Sequence, residues 1–248
     1  MEWTRGPADT WDRTAAWLRG LVATLPERPK AILVVSGHWE APVFTVASSP
    51  APELIYDYSG FPDATYRLRF DAPGAPTLAA RVRDLLAIAG IPSAEDPRRG
   101  WDHGVFVPLM LVTPQADIPV LQLSLQASLE PEAHLEAGRA LAPLRDEGVL
   151  IVGSGMSWHN MAGFSPAFTG RSAEFDAWLA EAIGDPAGRD RALSDWDDAP
   201  HARLAHPREE HLAPLFVAAG AASGEPAEVA FRDTVMDVVV SAVRFGAA

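Results

Sequence analysis

Four of the seven histidines sit where predicted secondary-structure elements end or begin. His38 lies in Ser36-Gly37-His38-Trp39, two residues past the apolar run AILVVS at 31–36. His159 lies in Ser157-Trp158-His159-Asn160, seven residues past a second run, VLIV at 149–152, and after a Gly-Ser-Gly turn. Short continuous apolar runs read as buried strands, so two separate strands deliver a histidine to the same edge of a sheet. His103 stands in the loop Arg99-Gly100-Trp101-Asp102-His103-Gly104 ahead of an apolar helix, and His211 opens a helix in Pro207-Arg208-Glu209-Glu210-His211-Leu212. Imidazoles brought together in this way serve two chemistries: as neutral rings they ligate transition metals, and near their ordinary pKa they carry protons. The chain contains no cysteine, which removes disulfides, thiolate zinc sites, iron–sulfur clusters and thiol nucleophiles. A bound metal would therefore take its side-chain ligands from His, Asp or Glu.

The remaining histidines read differently. His134 falls on the face of an amphipathic helix and is expected to be solvated, and His201 and His206 are expected at the surface or at helix caps. His201, His206 and His211 recur every five residues, which does not place them on one helical face and argues against a single-helix metal clamp. Glu209 and Glu210 read as charges at a helix N-terminus. Tyr56, Tyr58, Phe61 and Tyr66 fit either loop packing or contact with a ligand. Arg67, Arg69, Arg98 and Arg99 fit either a substrate carboxylate or solvent. The segment Gly153-Ser154-Gly155-Met156-Ser157 is not the G-x-S-x-G of a nucleophile elbow. No H-E-x-x-H, no phosphate-binding G-x-x-x-x-G-K-[ST] and no dinucleotide-binding G-x-G-x-x-G is present.

The elements that must position these side chains alternate. Helical spacing over 9–25 (Trp11, Ala15, Leu18, Val22) is closed by Pro26, and strands follow at 31–36 and 43–47. Residues 50–74 hold four prolines and several aromatics and read as a long functional loop. A helix at 76–89 stops at Gly90, and a strand fits 118–124. The helix predicted over 130–147 has Pro131 in its first turn, while Pro143 should kink or shorten it. After the strand at 149–152 come helices near 172–183, 197–204 and 207–219, then two strands near 228–232 and 235–243. Such alternation predicts an α/β fold, three layers with a central, largely parallel mixed sheet, and active residues just past the carboxyl ends of its strands. No linker composition interrupts the 248 residues, so one domain over 1–248 is expected.

Composition narrows the partners. The 20 basic and 33 acidic side chains give a net charge of −13, and Lys30 is the only lysine, which argues against nucleic acid and anionic membranes. A hydrophobic share of 48% is ordinary for a folded domain. With no apolar run of about 18 residues and a polar start, a cytoplasmic protein is the expectation. Oligomeric state is open.

Five segments in order, VVSGHWE, IYDYSGFPDATYRLRFDAPGAP, GWDHGVFVPLMLV…ADIPVLQLSL, GSGMSWHNM and EEHLAPLFVAAGAA, resemble the LigB-type (class III) extradiol ring-cleaving dioxygenases, in their DOPA 4,5-dioxygenase-like branch. The resemblance covers the chain from about Asp9 onward. It implies a non-haem Fe(II) enzyme, with zinc able to occupy the same site, that opens a catechol ring beside its hydroxyl pair using O₂. His38 and His211 match family metal ligands. His159 matches the histidine beside the metal, a ligand or the acid–base residue. His103 matches the substrate-facing histidine of the family's Asp-His-Gly segment. The resemblance thus gives His38, His159 and His211 as the metal set and His159 and His103 as catalytic residues; Tyr58, from the aromatic loop, and Asn160, beside His159, are expected at the substrate. The family pattern opens with a strand ending in Ser-His-Gly, whose histidine is a further ligand. The sequence begins at Met1-Glu2-Trp3 without it, and the expectation is a native chain with one more strand and turn. Two alternatives accompany this reading: a zinc-dependent hydrolase on the same histidines, and a catalytically silent scaffold.

Overall fold

A computed structural model describes residues 6–246. The first five residues of the polar start lie outside the described residues. The chain enters through α1 (Asp12–Gly20), which tightens into a 3₁₀ turn at Leu21–Thr24, so the helical spacing over 9–25 is two elements. Strand β1 (Ala31–Ala41) follows and is longer than its apolar run, with Ile32, Leu33, Val34 and Val35 all buried. Strand β2 (Phe44–Ala47), helix α2 (Pro76–Ile88), strand β3 (Ser93–Asp96), helix α3 (His103–Val112) and strand β4 (Val120–Gln126) come next. The helix expected over 130–147 is broken by Pro143 into α4 (Pro131–Leu141) and α5 (Pro143–Asp146), each with proline at its start where a missing N–H costs nothing. Strand β5 (Val149–Ser154), α6 (Thr169–Gly184), α7 (Arg189–Ser194), α8 (Ala202–Ala205) and α9 (Ala213–Ala221) complete the alternation.

The main sheet has the order β3-β2-β4-β1-β5. β1 runs parallel to both β4 and β5, β2 runs parallel to β3, and only the β2–β4 pair is antiparallel. Alternate residues of β1 feed opposite faces, as a strand's two-residue period requires. Leu33 and Val35 enter a core with Val82 and Leu86 of α2, Leu135 and Leu141 of α4, and Phe216 and Val217 of α9. Ile32 and Val34 enter a second core with Val105, Phe106 and Leu109 of α3 and with Trp101. Two cores on two faces make the three-layer α/β/α arrangement that the buried, unalternating strands imply.

Four differences from the sequence expectation have physical causes. β3 is the polar segment Ser93-Ala94-Glu95-Asp96 at a sheet edge, with no apolar run to announce it. The last two strands, β6 (Ala227–Val235) and β7 (Val238–Phe245), pair with each other as a separate antiparallel hairpin. Its turn places Met236 and Asp237 at φ 47° and 70°, the left-handed conformation that two-residue hairpins favour. α7 was not anticipated; its six residues are too few for a helical period to show. His134, expected to be solvated, is fully buried against Phe44. Its Nδ1–H donates to the Glu130 carbonyl at 2.7 Å, and its Nε2 accepts the Gln126 N–H at 3.2 Å. Backbone groups satisfy both ring nitrogens, so the ring stays neutral inside, with its pKa lowered by burial.

Candidate functional site

The site forms where β1 and β5 end and α3 and the segment before α9 begin, at the carboxyl edge of the parallel strands. β1 loses its register with β4 between Val35 and Glu40, and this irregular stretch carries His38. His103 is the first residue of α3 and His211 closes a 3₁₀ turn at Glu209–His211. His159 lies in the loop after β5.

Glycines permit the approach. A Cβ on Gly37 would lie 2.7 Å from the Glu210 carbonyl oxygen, and one on Gly155 only 2.1 Å from that of His211. The chain before α9 is thus pressed onto the ends of both strands, and the Met156 N–H donates to the His211 carbonyl at 3.2 Å. The His159 loop is fastened to α8: its own N–H donates to the Ala205 carbonyl at 3.0 Å, and Asn160 Nδ2 to that of Leu204 at 2.9 Å. His206, expected at the surface or a cap, is fully buried and donates from Nε2 to the Ser157 carbonyl at 3.1 Å.

These constraints bring the four expected histidines into one row. Ring centroids are 3.9 Å apart for His103–His38, 4.8 Å for His38–His211 and 3.3 Å for His211–His159. A carboxylate stands at each end. Asp57 Oδ1 lies 2.8 Å from His103 Nδ1, and Oδ2 lies 3.5 Å from His38 Nδ1. Glu210 Oε1 lies 3.4 Å from His159 Nδ1. The donor atoms of His38, Asp57 and His103, and those of His159, Glu210 and His211, each fall within 4.8 Å of one another.

Crowded imidazoles with little water resist protonation. Burial first, and then the neighbouring rings, bring His211 down to about 2 and His159 to about 4. His38 is lowered by burial and by His103 against the pull of Asp57. Burial raises Glu210, whereas for Asp57 burial is outweighed by the two hydrogen bonds from His103, which hold it at about 2. His211 Nδ1 and Glu210 Oε2 are buried without a hydrogen-bond partner among the described residues. Imidazoles whose protonation burial disfavours, at His38, His159 and His211, with a buried His211 nitrogen lacking a hydrogen-bond partner and a carboxylate alongside, suit a divalent transition metal.

Sequence reasoning missed the support beneath the row. Asp102 is fully buried; its Oδ1 accepts from Ser36 Oγ at 2.7 Å, and its Oδ2 accepts from Gln122 Nε2 at 2.5 Å and Arg99 Nη2 at 2.8 Å. Ser36 Oγ in turn accepts the His38 N–H at 3.2 Å. Arg99 is therefore engaged in this network and over the Trp39 ring, while Arg67, Arg69 and Arg98 are exposed. Of the expected substrate contacts, Tyr58 stands edge-to-face with His103, ring centroids 5.7 Å apart, while its hydroxyl donates to the Thr65 carbonyl at 2.6 Å. Asn160 uses both ends of its amide on backbone, the second being the Ala162 N–H at 3.0 Å, so it anchors the His159 loop. The aromatic group packs together, Tyr56 and Tyr58 both against Phe106, and stiffens the long loop it lies in.

Fold and cluster together define an α/β protein with an imidazole-rich, metal-type centre at the carboxyl edge of its sheet. Residues 8–243 match the family described as the catalytic LigB subunit of aromatic ring-opening dioxygenase, and the chain belongs to that family. It is 47% identical over 201 residues to a 4,5-DOPA dioxygenase extradiol of Beta vulgaris, covering 79% of this chain and 74% of that one. It is 37% identical over 218 residues to a protein of the same name from Escherichia coli strain K12, covering 86% and 79%. An uncharacterized Escherichia coli K12 protein of known crystal structure superimposes with a TM-score of 0.77 at 30% identity, over 98% of this chain and 95% of that one. The enzyme class is thus extradiol aromatic ring opening, and family and donor set together suggest a metal cofactor. No helix among the described residues is long and apolar enough to cross a membrane.

Proposed function

We propose that the chain cleaves a catechol-type ring beside its hydroxyl pair with O₂, using Fe(II), and that DOPA, named in its relatives, is the first catechol to test. The observation that supports this reading most is the row of four imidazoles closed at each end by a carboxylate. The middle pair, His38 and His211, with ring centroids 4.8 Å apart, would hold the metal, with the Glu210 carboxylate beside His211 as a further oxygen donor. When bound, Fe(II) supplies a place where catechol and O₂ meet and a path for electron density between them, overcoming the spin barrier to their direct reaction.

The chain's own groups do the rest. His159, at the end of the row and neutral at pH 7, takes the proton of one catechol hydroxyl and later returns a proton to an oxygen of the product. His103, at the other end, accepts a hydrogen bond from the second hydroxyl. The aromatic loop around Tyr58 forms one wall at the His103 end. Both atoms of O₂ end in the ring-opened product.

The test is oxygen uptake by protein reconstituted anaerobically with Fe(II). One O₂ consumed per catechol, with a yellow semialdehyde formed, is the expected outcome. Turnover that needs no oxygen, or no uptake at full metal occupancy, would overturn it. His159→Ala should abolish turnover and keep the metal; His211→Ala should lose the metal.

A further inference from the structure

Asp57 belongs to none of the residues the sequence singled out, yet its carboxylate touches two of the four histidines. Oδ1 accepts twice from one residue, from the His103 backbone N–H at 3.0 Å and from His103 Nδ1–H at 2.8 Å. Oδ2 faces His38 Nδ1 at 3.5 Å, an electrostatic contact beyond hydrogen-bond range. The double acceptance fixes both the start of α3 and the rotation of the His103 ring. Tyr58, the next residue, sets its ring edge against the same imidazole, so the loop carrying Asp57 is held where this contact is made. Tyr58 and Tyr56 tie that loop down through hydrogen bonds to the Thr65 and Leu68 carbonyls.

A carboxylate cannot donate, so the hydrogen between Asp57 and His103 sits on Nδ1, and Nε2 of a neutral His103 carries a bare lone pair. A histidine held in this tautomer accepts at its far nitrogen, as carboxylate-oriented imidazoles do elsewhere. We propose that Asp57 is a positioning residue that locks His103 as the Nδ1–H tautomer, making it a hydrogen-bond acceptor toward a substrate hydroxyl. This rests on the ring-cleavage reading only for the identity of the hydroxyl; the tautomer itself does not depend on it. Asp57, His38 and His103 also offer donor atoms within 4.8 Å of one another. Asp57 nevertheless serves His103 and not a metal, because Oδ1 already receives two N–H groups.

The experiment reads the ring nitrogens directly, on full-length zinc-loaded protein, which is diamagnetic. A long-range ¹H–¹⁵N correlation spectrum is expected to show His103 protonated at Nδ1 and bare at Nε2. In Asp57→Ala the His103 hydrogen should move to Nε2 in a large part of the population, with zinc stoichiometry unchanged. With Fe(II), the same variant should lose about 10–100-fold in kcat, the range for removing a partner that orients a functional histidine, while KM changes little. His103 protonated at Nε2 in the unaltered protein, or loss of zinc with Asp57→Ala, would overturn the assignment. Should Asp57→Ala fail to fold, Asp57→Asn decides. Its amide can donate to Nδ1 as well as accept from it, so the tautomer is no longer fixed: part of the His103 hydrogen should move to Nε2 and kcat should fall with KM little changed, and an unaltered tautomer and kcat overturn the role. A wild-type protein with the Nδ1–H tautomer but no oxygen uptake would sink the ring-cleavage reading and leave the Asp57–His103 assignment standing.

Discussion

His159 and His211 stack with ring centroids 3.3 Å apart and planes 22° from parallel. Two imidazolium rings would repel strongly at that separation, and neither ring is far enough into water to be relieved by it. Both are held neutral by burial first, then by neighbouring imidazoles, chiefly His159 for His211 and His38 and His103 for His159, which bring His211 down to about 2 and His159 to about 4. Protons compete with a metal only where they bind the ligand, so a lowered pKa extends metal binding toward acid. Zinc or cobalt should therefore stay bound well below pH 6.5 and be released as the pH falls toward 4. Metal content after dialysis at graded pH checks this; half-release near pH 6.5 would mean that the rings behave as ordinary exposed histidines.

His206 carries the same sign into folding stability. It is buried among Phe175 and Trp196, and burial lowers its pKa to about 4. Between that value and the ordinary 6.5 the unfolded chain binds the proton and the native one does not. Stability is then complete above 6.5 and falls as the pH drops toward 4, by up to about 3 kcal/mol from this residue. Urea unfolding at graded pH should show that slope, and His206→Leu should flatten it while lowering stability at neutral pH, where the bond to Ser157 is lost. An unchanged slope in the variant would assign the acid sensitivity to other groups.

Gly155 tests how the row is assembled. An alanine Cβ there would meet the His211 carbonyl oxygen at 2.1 Å, and that atom is backbone, so the chain before α9 must retreat. Gly155→Ala should cost about 1–3 kcal/mol, as overpacking does, and should weaken metal binding as well because His211 moves with its carbonyl. Chemical unfolding and metal titration on the same protein separate the two effects. Unaltered metal affinity would show that His211 is not placed by this contact.

The four site histidines were legible in the sequence because each follows or opens an element with an apolar signature, such as 31–36 before His38 and the all-apolar α3 after His103. The layered sheet was legible for the same reason: Ile32 to Val35 is buried without alternation, as a strand covered on both faces must be. Asp57 and Glu210 were not, since nothing periodic marks a carboxylate in a loop or a 3₁₀ turn. Their only local signals are an aspartate between two tyrosines and a glutamate directly before a histidine. His134 misled because its partners are backbone groups of the residues around it, which no side-chain pattern records. Asp102, read only as part of a motif, acts through Ser36 and Gln122 on two different strands, a contact set only by the pairing of β1 with β4.

That buried carboxylate should prove the most sensitive position under the site. Asp102 accepts from Ser36, Gln122 and Arg99, and its two oxygens have no water to replace them. Removing it strands a guanidinium and two polar groups, and breaking a buried ion pair from one side costs about 3–5 kcal/mol. Asp102→Ala should lower stability by that order. Asp102→Asn, which keeps the shape but turns an amide N–H toward donors, should cost about 1–3 kcal/mol. Because Ser36 also accepts the His38 N–H, and Asp102 directly precedes His103, both variants should loosen two members of the histidine row. Urea unfolding gives the first quantity and zinc affinity the second. A destabilised Asp102→Asn protein that binds zinc as tightly as the unaltered chain would confine the network to folding and leave the placement of His38 to the β1 irregularity alone.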